Sequence, residues 1–301
     1  MRVKFYGVRG SFPTPSIAAE EFYTDKVGGN TTCLRLVSSS EEEFIIDAGT
    51  GLRVLGNQMM KEGKVFKQGY KFSLLLTHEH QDHIEGGVSF KPFYLPQVTC
   101  DIYAHDNPRR IEELLRGRQR VEYFPVRYSK EGVEEGAAMA SRRTHYNIES
   151  KLPGNGIQVS YCHTNHPDGC VAYRFEEHGK VFVFGGDHEC SIFPEVDEKL
   201  IAFFQGAHVL VMDTQYLPEE REPERFGKKG LAKKGWGHSD YEQVVDLACK
   251  VQPEFLLLTH HDPEHDDKFL NGLWTQAEEY GKKKGLRSRI LLATEGLELP
   301  V

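Results

Sequence analysis

Short apolar runs alternate along the chain with amphipathic segments, and this alternation restricts the fold more than any other feature of the sequence. Apolar runs of about four to eight residues bounded by Gly, Asp or His are typical of buried strands, and the segments between them have the periodicity of helices with one apolar face. This order predicts a layered α/β fold. We predict strands at 2–8, 32–37, 43–47, 71–76, 99–104, 156–162, 170–175, 180–184, 207–212, 254–259 and 288–292, and helices at 51–61, 108–116, 196–205, 240–250 and 266–283.

Capping residues and the absence of linkers complete this outline. Ser239 or Asp240, and Asp266 or Asp267, are suited to cap the last two helices, because their side chains can accept hydrogen bonds from first-turn amides. No repeat, low-complexity tract or Pro/Gly/Ser linker divides the chain, so we expect a single domain over 1–301.

Two segments interrupt the alternation. Residues 117–155 carry mixed charge and several glycines, and residues 217–237 show almost no apolar periodicity. We expect both segments to be loops. Because loops on a rigid α/β frame commonly select the ligand, both are candidates for the walls of a pocket.

The composition excludes several classes of protein. A chain of 301 residues with 39% hydrophobic residues and a net charge of −8 is typical of a globular protein without a broad basic nucleic-acid surface. No run approaches the roughly 20 apolar residues that span a bilayer, and the start MRVKFYGVRG lacks an apolar signal core. The six cysteines form no CxxC pair, which fits reduced thiols. We therefore expect a cytoplasmic protein with no membrane partner.

Residues 77–86 concentrate three histidines and three acids directly after an apolar run that ends in three leucines. In an extended chain His78 and His80 project to the same side and could bind one cation. Asp82 and His83 could hold a second cation where the chain turns into a helix. The alternative is a polar loop whose histidines only satisfy one another, but HxHxDH directly after a strand is the more specific signal of a metal site.

Further candidate ligands stand at the ends of other predicted strands. His166, Asp187 and His260 each follow an apolar run. Asp187 could bridge two cations, with His166 completing the ligands of the first and His260 those of the second. Imidazole with carboxylate suits zinc, manganese or iron. Two such ions roughly 3.5 to 4 Å apart would activate a shared water near neutral pH.

The motif HxHxDH at 78–83 and the later His166, Asp187 and His260 resemble, in this order, the metal motifs of the metallo-β-lactamase superfamily of binuclear hydrolases. The resemblance covers nearly the whole chain. It implies a mixed α/β (α+β) fold, a four-layer αββα sandwich with the site at one edge. The ligand sets that it implies are His78, His80 and His166 for the first cation, Asp82, His83 and His260 for the second, and Asp187 as the bridge.

Finer features are similar to the branch that contains ribonuclease Z and the phosphodiesterase of phosphonate breakdown. VKFYGVRGSFPTP, GGNTTCLRL and FIIDAGTGL resemble its first strands and turns, and Gly-His-Ser at 237–239 resembles its GHS/T element. This resemblance implies that His238, paired with Asp213, protonates the leaving oxygen of a phosphodiester. The alternative is that His238 only enters the helix that begins near Ser239.

Asp47 and several further histidines admit two interpretations. Asp47 either accepts a hydrogen bond from the second ring nitrogen of a ligating histidine, as the resemblance favours, or forms a turn with its own backbone. His163, His188 and His261 lie close in sequence to proposed ligands, and of two neighbours in an extended chain only one is expected to reach the cations. His265 belongs to a turn and helix cap or faces a substrate.

Candidate substrate contacts are few. Asn30 and Thr31 in the turn GGNTT could donate hydrogen bonds to phosphate oxygens, or the glycines beside them could serve only a tight turn. Tyr123 and Phe124 could form a wall on which a nucleobase stacks, or they could pin their loop to the core.

These observations favour a binuclear metal-dependent hydrolase, a phosphodiesterase acting on a nucleotide-like or small organic phosphodiester, cyclic nucleotides included. The predicted catalytic residues are His238, Asp213 and Asp82, the last also a ligand. Two alternatives stay open. The same metal pair could hydrolyse a lactone, thioester or β-lactam, or the protein could be a non-catalytic sensor that binds a metal or nucleotide.

The expected cofactors are two divalent metal ions, Zn²⁺ first, with Mn²⁺ or iron as alternatives. The expected partners are a small phosphodiester substrate and, because homodimers are frequent in enzymes of this resemblance, a second copy of the chain. The net charge of −8 disfavours a folded nucleic acid as the substrate without excluding it.

Overall fold

The computed structural model describes residues 1–105, 108–120, 122–126 and 141–301. The chain forms two compact units, each assembled from several segments. We call the segments 1–7, 30–155 and 296–300 the first unit, and 8–29, 156–295 and 301 the second unit. The single domain expected from the sequence stays a prediction. Within the described ranges no helix is both long and apolar enough to cross a membrane.

The described residues contain thirteen strands and seven α-helices. The strands are β1 (Arg2–Gly7), β2 (Cys33–Val37), β3 (Glu43–Ile46), β4 (Lys71–Leu75), β5 (Thr99–Ala104), β6 (Arg142–Asn147), β7 (Gln158–His163), β8 (Val171–Glu177), β9 (Lys180–Phe184), β10 (Val209–Asp213), β11 (Phe255–Thr259), β12 (Arg289–Leu292) and β13 (Glu298–Pro300). The helices are α1 (Gly51–Glu62), α2 (Gln81–Ile84), α3 (Pro108–Arg118), α4 (Pro194–Phe204), α5 (Pro218–Arg221), α6 (Tyr241–Val251) and α7 (Asp267–Lys284).

The first unit is built on a sheet with the strand order β13-β1-β2-β3-β4-β5-β6. The strands from β3 to β6 are parallel, and the others pair antiparallel. On α1, Leu52, Leu55 and Met59 recur at helical spacing and belong to the same buried cluster as Ile45 of β3 and Leu74 of β4. The crossovers of the parallel strands leave the ends of β3 and β4 side by side.

The second unit is built on a sheet with the strand order β12-β11-β10-β9-β8-β7. The strands from β9 to β12 are parallel, while β7 and β8 are antiparallel. Met212 of β10 and Leu258 of β11 share a buried cluster with Val244 of α6 and Leu273 of α7. Three neighbouring parallel strands, β9, β10 and β11, therefore end at the same edge of this sheet.

The predicted strands and long helices are all present, within a few residues of the expected bounds. Asp240 and Asp266 are the N-caps of α6 and α7, since their carboxylates accept hydrogen bonds from the amides of Gln243 and Phe269. The sequence did not predict α5, β6 or β13. The helix expected where Asp82 and His83 turn the chain is present as the single turn α2.

The prediction that 117–155 is wholly a loop is wrong, because β6 lies in it and pairs with β5 along its whole length. Part of that segment, residues 121 and 127–140, lies outside the described residues. The segment 217–237 contains α5 and a 3₁₀ turn at Pro223–Phe226. Polar and charged side chains dominate both segments, so apolar periodicity does not predict β6, α5 or the 3₁₀ turn.

The first unit contains a buried network of ion pairs around Arg35. Arg35 is only 7% exposed, and its guanidinium donates to Glu43 Oε2 at 2.8 and 3.1 Å and to Glu62 at 2.9 Å. Tyr70 Oη also donates to Glu43, at 2.8 Å. Each charge is thus paired, and removal of one would leave another buried without compensation.

We expect Arg35→Met to lower the free energy of unfolding by about 3–5 kcal/mol, because it leaves the Glu43 carboxylate desolvated without its cation. Urea unfolding would measure the loss. The control is Lys64→Met, which removes the exposed ion pair with Glu41 and should cost about 0–1 kcal/mol. Equal losses in the two variants would contradict the assignment of a buried network.

Candidate metal centre

The first unit gathers its candidate ligands in the loop after β4. The ring centroids of His78 and His80 are 4.5 Å apart, and those of His78 and His83 are 4.2 Å apart. Asp82 and His83 lie in the single turn of α2, where His83 Nε2 is 3.3 Å from Asp82 Oδ2. His78, Asp82 and His83 are buried, and His80 is partly exposed. Three imidazoles and a carboxylate therefore converge at one strand end.

Asp47 supports this cluster from the end of the adjacent strand β3. Its carboxylate is fully buried, accepts the Nδ1 proton of His83 at 2.8 Å, and accepts from the Thr77 amide at 2.7 Å and from the Thr77 hydroxyl. Burial raises the pKa of Asp47, and the bonds from His83 and Thr77 oppose that rise. Of the two roles considered for Asp47, the structure displays the hydrogen bond to a candidate ligand.

The second unit gathers His166, Asp187 and His260. Asp187 follows β9 and His260 follows β11, and His260 Nε2 lies 3.2 Å from Asp187 Oδ2. His166 Nε2 lies 3.9 Å from the same oxygen. All three residues are buried. One carboxylate oxygen thus faces the Nε2 atoms of two imidazoles, as expected of a carboxylate that shares a cation with them.

The tautomers of four rings test whether these residues fit a metal. A neutral imidazole binds a cation through one nitrogen while the other donates its proton to the protein. His83 Nδ1 bonds Asp47, His166 Nδ1 bonds the Gly237 carbonyl at 3.0 Å, and His260 Nδ1 bonds Gln215 Oε1 at 3.1 Å. His78 Nδ1 lies 3.0 Å from Thr77 Oγ1, whose own proton goes to Asp47. Each ring therefore presents Nε2, and the donor set fits divalent cations.

His238 lies against Asp213. Its Nδ1 bonds Asp213 Oδ2 at 2.7 Å, and its ring stacks on His260 with centroids 4.8 Å apart. Ligand atoms of His166, Asp187 and His238 all lie within 4.8 Å of one another. The pair therefore lies directly beside candidate metal ligands, and Nε2 is the ring nitrogen that does not bond Asp213.

His188 shows the opposite hydrogen-bond pattern from the four rings above. The side chains of His188, Cys190 and Asp197 are close enough to hold an ion. However, His188 Nδ1 accepts the Asn165 amide proton at 3.0 Å, so the ring proton is on Nε2, which donates to Asp197 at 2.9 Å. Coordination through Nε2 would need an imidazolate. His188 therefore fixes the loop after β9.

Three other histidines have structural partners. His261 is fully buried and its Nε2 donates to the Ala293 carbonyl at 3.1 Å. Burial lowers the pKa of His261 to about 3, so the ring stays neutral. His265 bonds Glu220 Oε1 through Nε2 and stacks on Phe269. His163 ends the strand β7 and packs its ring edge to face with Tyr161, 5.7 Å between centroids.

The candidate substrate contacts differ in their surroundings. Thr31 is fully buried and exchanges hydrogen bonds with Thr50, through the hydroxyl of each and the amide of the other. Asn30 is partly exposed, Tyr123 is 76% exposed, and Phe124 stacks on Tyr94. Thr31 and Phe124 thus have structural roles, and substrate contacts at these four positions stay predictions.

The residues that orient the rings were not predictable from the motifs. Gln215, Thr77 and the Gly237 carbonyl each hold a ring nitrogen. Gln215 and Thr77 stand at strand ends beside acids or histidines, which is a weak signal, and a backbone carbonyl leaves none. Gln215 and the Gly237 carbonyl have this role because the fold places them beside histidines that are distant in sequence.

The sequence profile of the beta-lactamase superfamily domain matches residues 42–261. That span includes every proposed ligand. No curated protein matches the sequence.

Solved structures match over the whole chain. Zn²⁺-bound PqqB from Methylobacterium extorquens has a TM-score of 0.68 at 15% identity, covering 100% of both chains. A diphosphatase of the PhnP family has a TM-score of 0.64 at 17% identity, covering 100% of this chain and 97% of its own. Human tRNase Z, short form, has a TM-score of 0.59 at 15% identity, covering 100% and 99%.

At these identities the structural similarity shows a shared fold. The two sheets and seven described helices are consistent with the αββα sandwich that the sequence resemblance implied. The groups named by that resemblance, ribonuclease Z and the phosphonate-pathway enzymes, have counterparts among the similar structures. The chain belongs to the β-lactamase superfamily domain family, as the profile match over 42–261 shows.

Proposed function

We propose that the protein is a binuclear metal-dependent phosphodiesterase that acts on a nucleotide-like or small organic phosphodiester. The observation that carries the proposal is the hydrogen-bonded pair His238–Asp213 beside His166 and Asp187. Cleavage of a phosphodiester requires stabilisation of the phosphoryl oxygens and a proton for the departing alkoxide. The chain has residues suited to both tasks.

The proposed ligand assignment follows the order of the family motifs. His78, His80 and His166 would bind one cation, Asp82, His83 and His260 the other, and Asp187 both. The Nδ1 bonds of His78, His83, His166 and His260 support it. When bound, two divalent cations would neutralise phosphoryl oxygens and activate the attacking water. Zn²⁺ is the first candidate, because it suits these donors and a Zn²⁺-bound protein shares the fold.

His238 would supply the proton for the leaving group. Asp213 accepts the Nδ1 proton, which fixes the ring orientation and makes Nε2 the atom that transfers a proton. Proton delivery requires the imidazolium, in which both ring nitrogens carry a proton, and the Asp213 carboxylate is the acceptor for the proton on Nδ1. Stacking on His260 limits rotation of the ring. These contacts hold the donor in one orientation before substrate binds, which lowers the cost of reaching the transition state.

Two of the structures that share the fold are, by name, a diphosphatase and a tRNase, and both names denote chemistry at phosphorus. This similarity supports a phosphate ester as the substrate. The net charge of −8 favours a small one over a folded nucleic acid. The substrate class is tested with bis(p-nitrophenyl) phosphate, cyclic nucleotides and a lactone panel. Turnover of lactones with inert phosphodiesters would overturn the proposal.

Removal of metal should abolish hydrolysis and lower the melting temperature, because ions that bind only the folded chain stabilise it. Elemental analysis of protein purified without added metal should show two divalent ions per chain. Asp187→Asn should lose metal and activity together. The control is Asp168→Asn at an exposed turn, which should retain both. Full activity after exhaustive chelation would contradict the metal-dependent mechanism.

His238→Ala should slow substrates with poor leaving groups by about 10²- to 10⁴-fold while largely sparing activated aryl esters, because only the former need a proton on the leaving oxygen. Steady-state rates across a series of leaving groups would measure the difference, and metal content should stay unchanged.

The control for this prediction is His178→Asn in the exposed turn after β8, where Asn tolerates the φ of 49°. It should alter neither class of substrate. Equal slowing of both classes in His238→Ala would remove the assignment of a proton donor.

A further inference from the structure

A buried carboxylate lies behind His238. Glu189, two residues after Asp187, is 2% exposed. Its carboxylate accepts hydrogen bonds from the Gly235 amide at 2.9 Å, the Gly237 amide at 3.0 Å and the Arg221 guanidinium at 2.8 Å. Arg221 is itself buried. One side chain from the loop after β9 thus holds both ends of the segment that leads into His238.

The residue just before His238 is held on three sides. Gly237 has a φ of 93°, and a side chain at this position would lie 2.2 Å from His166 Nδ1. Its amide donates to Glu189 and its carbonyl accepts the His166 proton. Only glycine can adopt this conformation so close to the imidazole. The position of this peptide therefore determines both the tautomer of His166 and the position of the His238 backbone.

A second connection holds the other side of His238. Ser239 Oγ donates to the His188 carbonyl at 2.6 Å and accepts the Cys190 amide proton at 3.0 Å. The His188 amide in turn donates to Asp213 Oδ2 at 3.2 Å, the oxygen that also holds the His238 ring. The loop at 188–190 therefore fixes the backbone on both sides of His238 and its carboxylate partner as well.

The buried charge of Glu189 matters more for the arrangement of its hydrogen-bond donors than for the stability of the fold. A buried ion pair contributes little net stability, since desolvation offsets most of the attraction. A carboxylate that accepts two amides and a guanidinium nevertheless leaves these groups one arrangement, because any displacement would strand a buried donor or charge. The segment 235–237 is accordingly held in one place.

We propose that Glu189, paired with Arg221, is a positioning residue that aligns His238 for proton transfer to the leaving group. The inference rests on the proposed function of His238. In this role the polar segment 217–237 supplies three hydrogen-bond donors, from Arg221, Gly235 and Gly237, to one buried acceptor. Glu189 acts only through these groups.

The test is Glu189→Gln, which keeps the size of the side chain but replaces one acceptor oxygen with an NH₂ group that faces amide donors. Hydrolysis of substrates with poor leaving groups should fall about 10- to 100-fold, as expected for a small misplacement of a catalytic group. Activated aryl esters should be slowed much less, through the Gly237 carbonyl that holds His166. Arg221→Gln, which removes the cation but leaves the amide bonds, should act in the same direction and more weakly, and it serves if Glu189→Gln does not fold.

A double-mutant cycle separates positioning from general damage. If Glu189 acts through His238, Glu189→Gln should have no further effect on the leaving-group dependence in the His238→Ala background. The matched control is Glu43→Gln, a buried carboxylate paired with Arg35 in the first unit. It should lower stability without changing the ratio of rates on poor and activated substrates. Equal slowing of both substrate classes by Glu189→Gln, or additivity with His238→Ala, would overturn the proposal.

The ring proton signals of His238 provide a readout that does not depend on activity. They are identified in NMR spectra of zinc-loaded protein by their loss in His238→Ala. Glu189→Gln should shift them and Glu43→Gln should not. Unshifted signals would overturn the positioning role. If His238→Ala itself fails to discriminate leaving groups, the proposed function fails, while a shift in Glu189→Gln would still show that Glu189 positions His238.

Discussion

The hydrogen bond that Nδ1 of each buried candidate ligand histidine makes is the constraint on which the candidate site depends. His83 is held by Asp47, His166 by the Gly237 carbonyl and His260 by Gln215. A neutral ring has a single proton, so each of these bonds makes Nε2 the nitrogen with the lone pair. His188, in the same unit as His166 and His260, instead accepts an amide proton at Nδ1. The identity of the bonded nitrogen decides which histidines can bind a cation.

Backbone conformation places these groups at the strand ends. Asp47 and His260 have φ values of 58° and 60°, in the left-handed region that non-glycine residues rarely adopt. Such residues typically cost about 1–3 kcal/mol each, and surrounding contacts must offset that cost. Here the offset comes from the hydrogen bonds just described, which would be lost if either backbone relaxed. At Asp47 and His260, therefore, the strained backbone conformation is what points the side chain toward its hydrogen-bond partner.

The elements of the fold were predictable wherever burial made the sequence apolar. The runs that became β3, β4, β9, β10 and β11 are short and hydrophobic, and polar residues mark where each one ends. β6, with the sequence RRTHYN, has no such pattern, because its role comes from backbone pairing with β5. The lack of apolar periodicity likewise predicts a loop at 217–237, although Arg221 in this segment is buried against Glu189.

The sequence by itself determined which residues are candidate ligands and that they follow apolar runs, since residue identity and apolar periodicity are local properties. His78, Asp187 and His260 could be named for that reason. Only the tertiary structure decided which ring nitrogen each histidine presents and which carboxylate holds the segment before His238. Those outcomes depend on hydrogen bonds between groups far apart in the chain, such as His260 with Gln215 and Glu189 with Gly237, and local patterns contain no record of such distant partners.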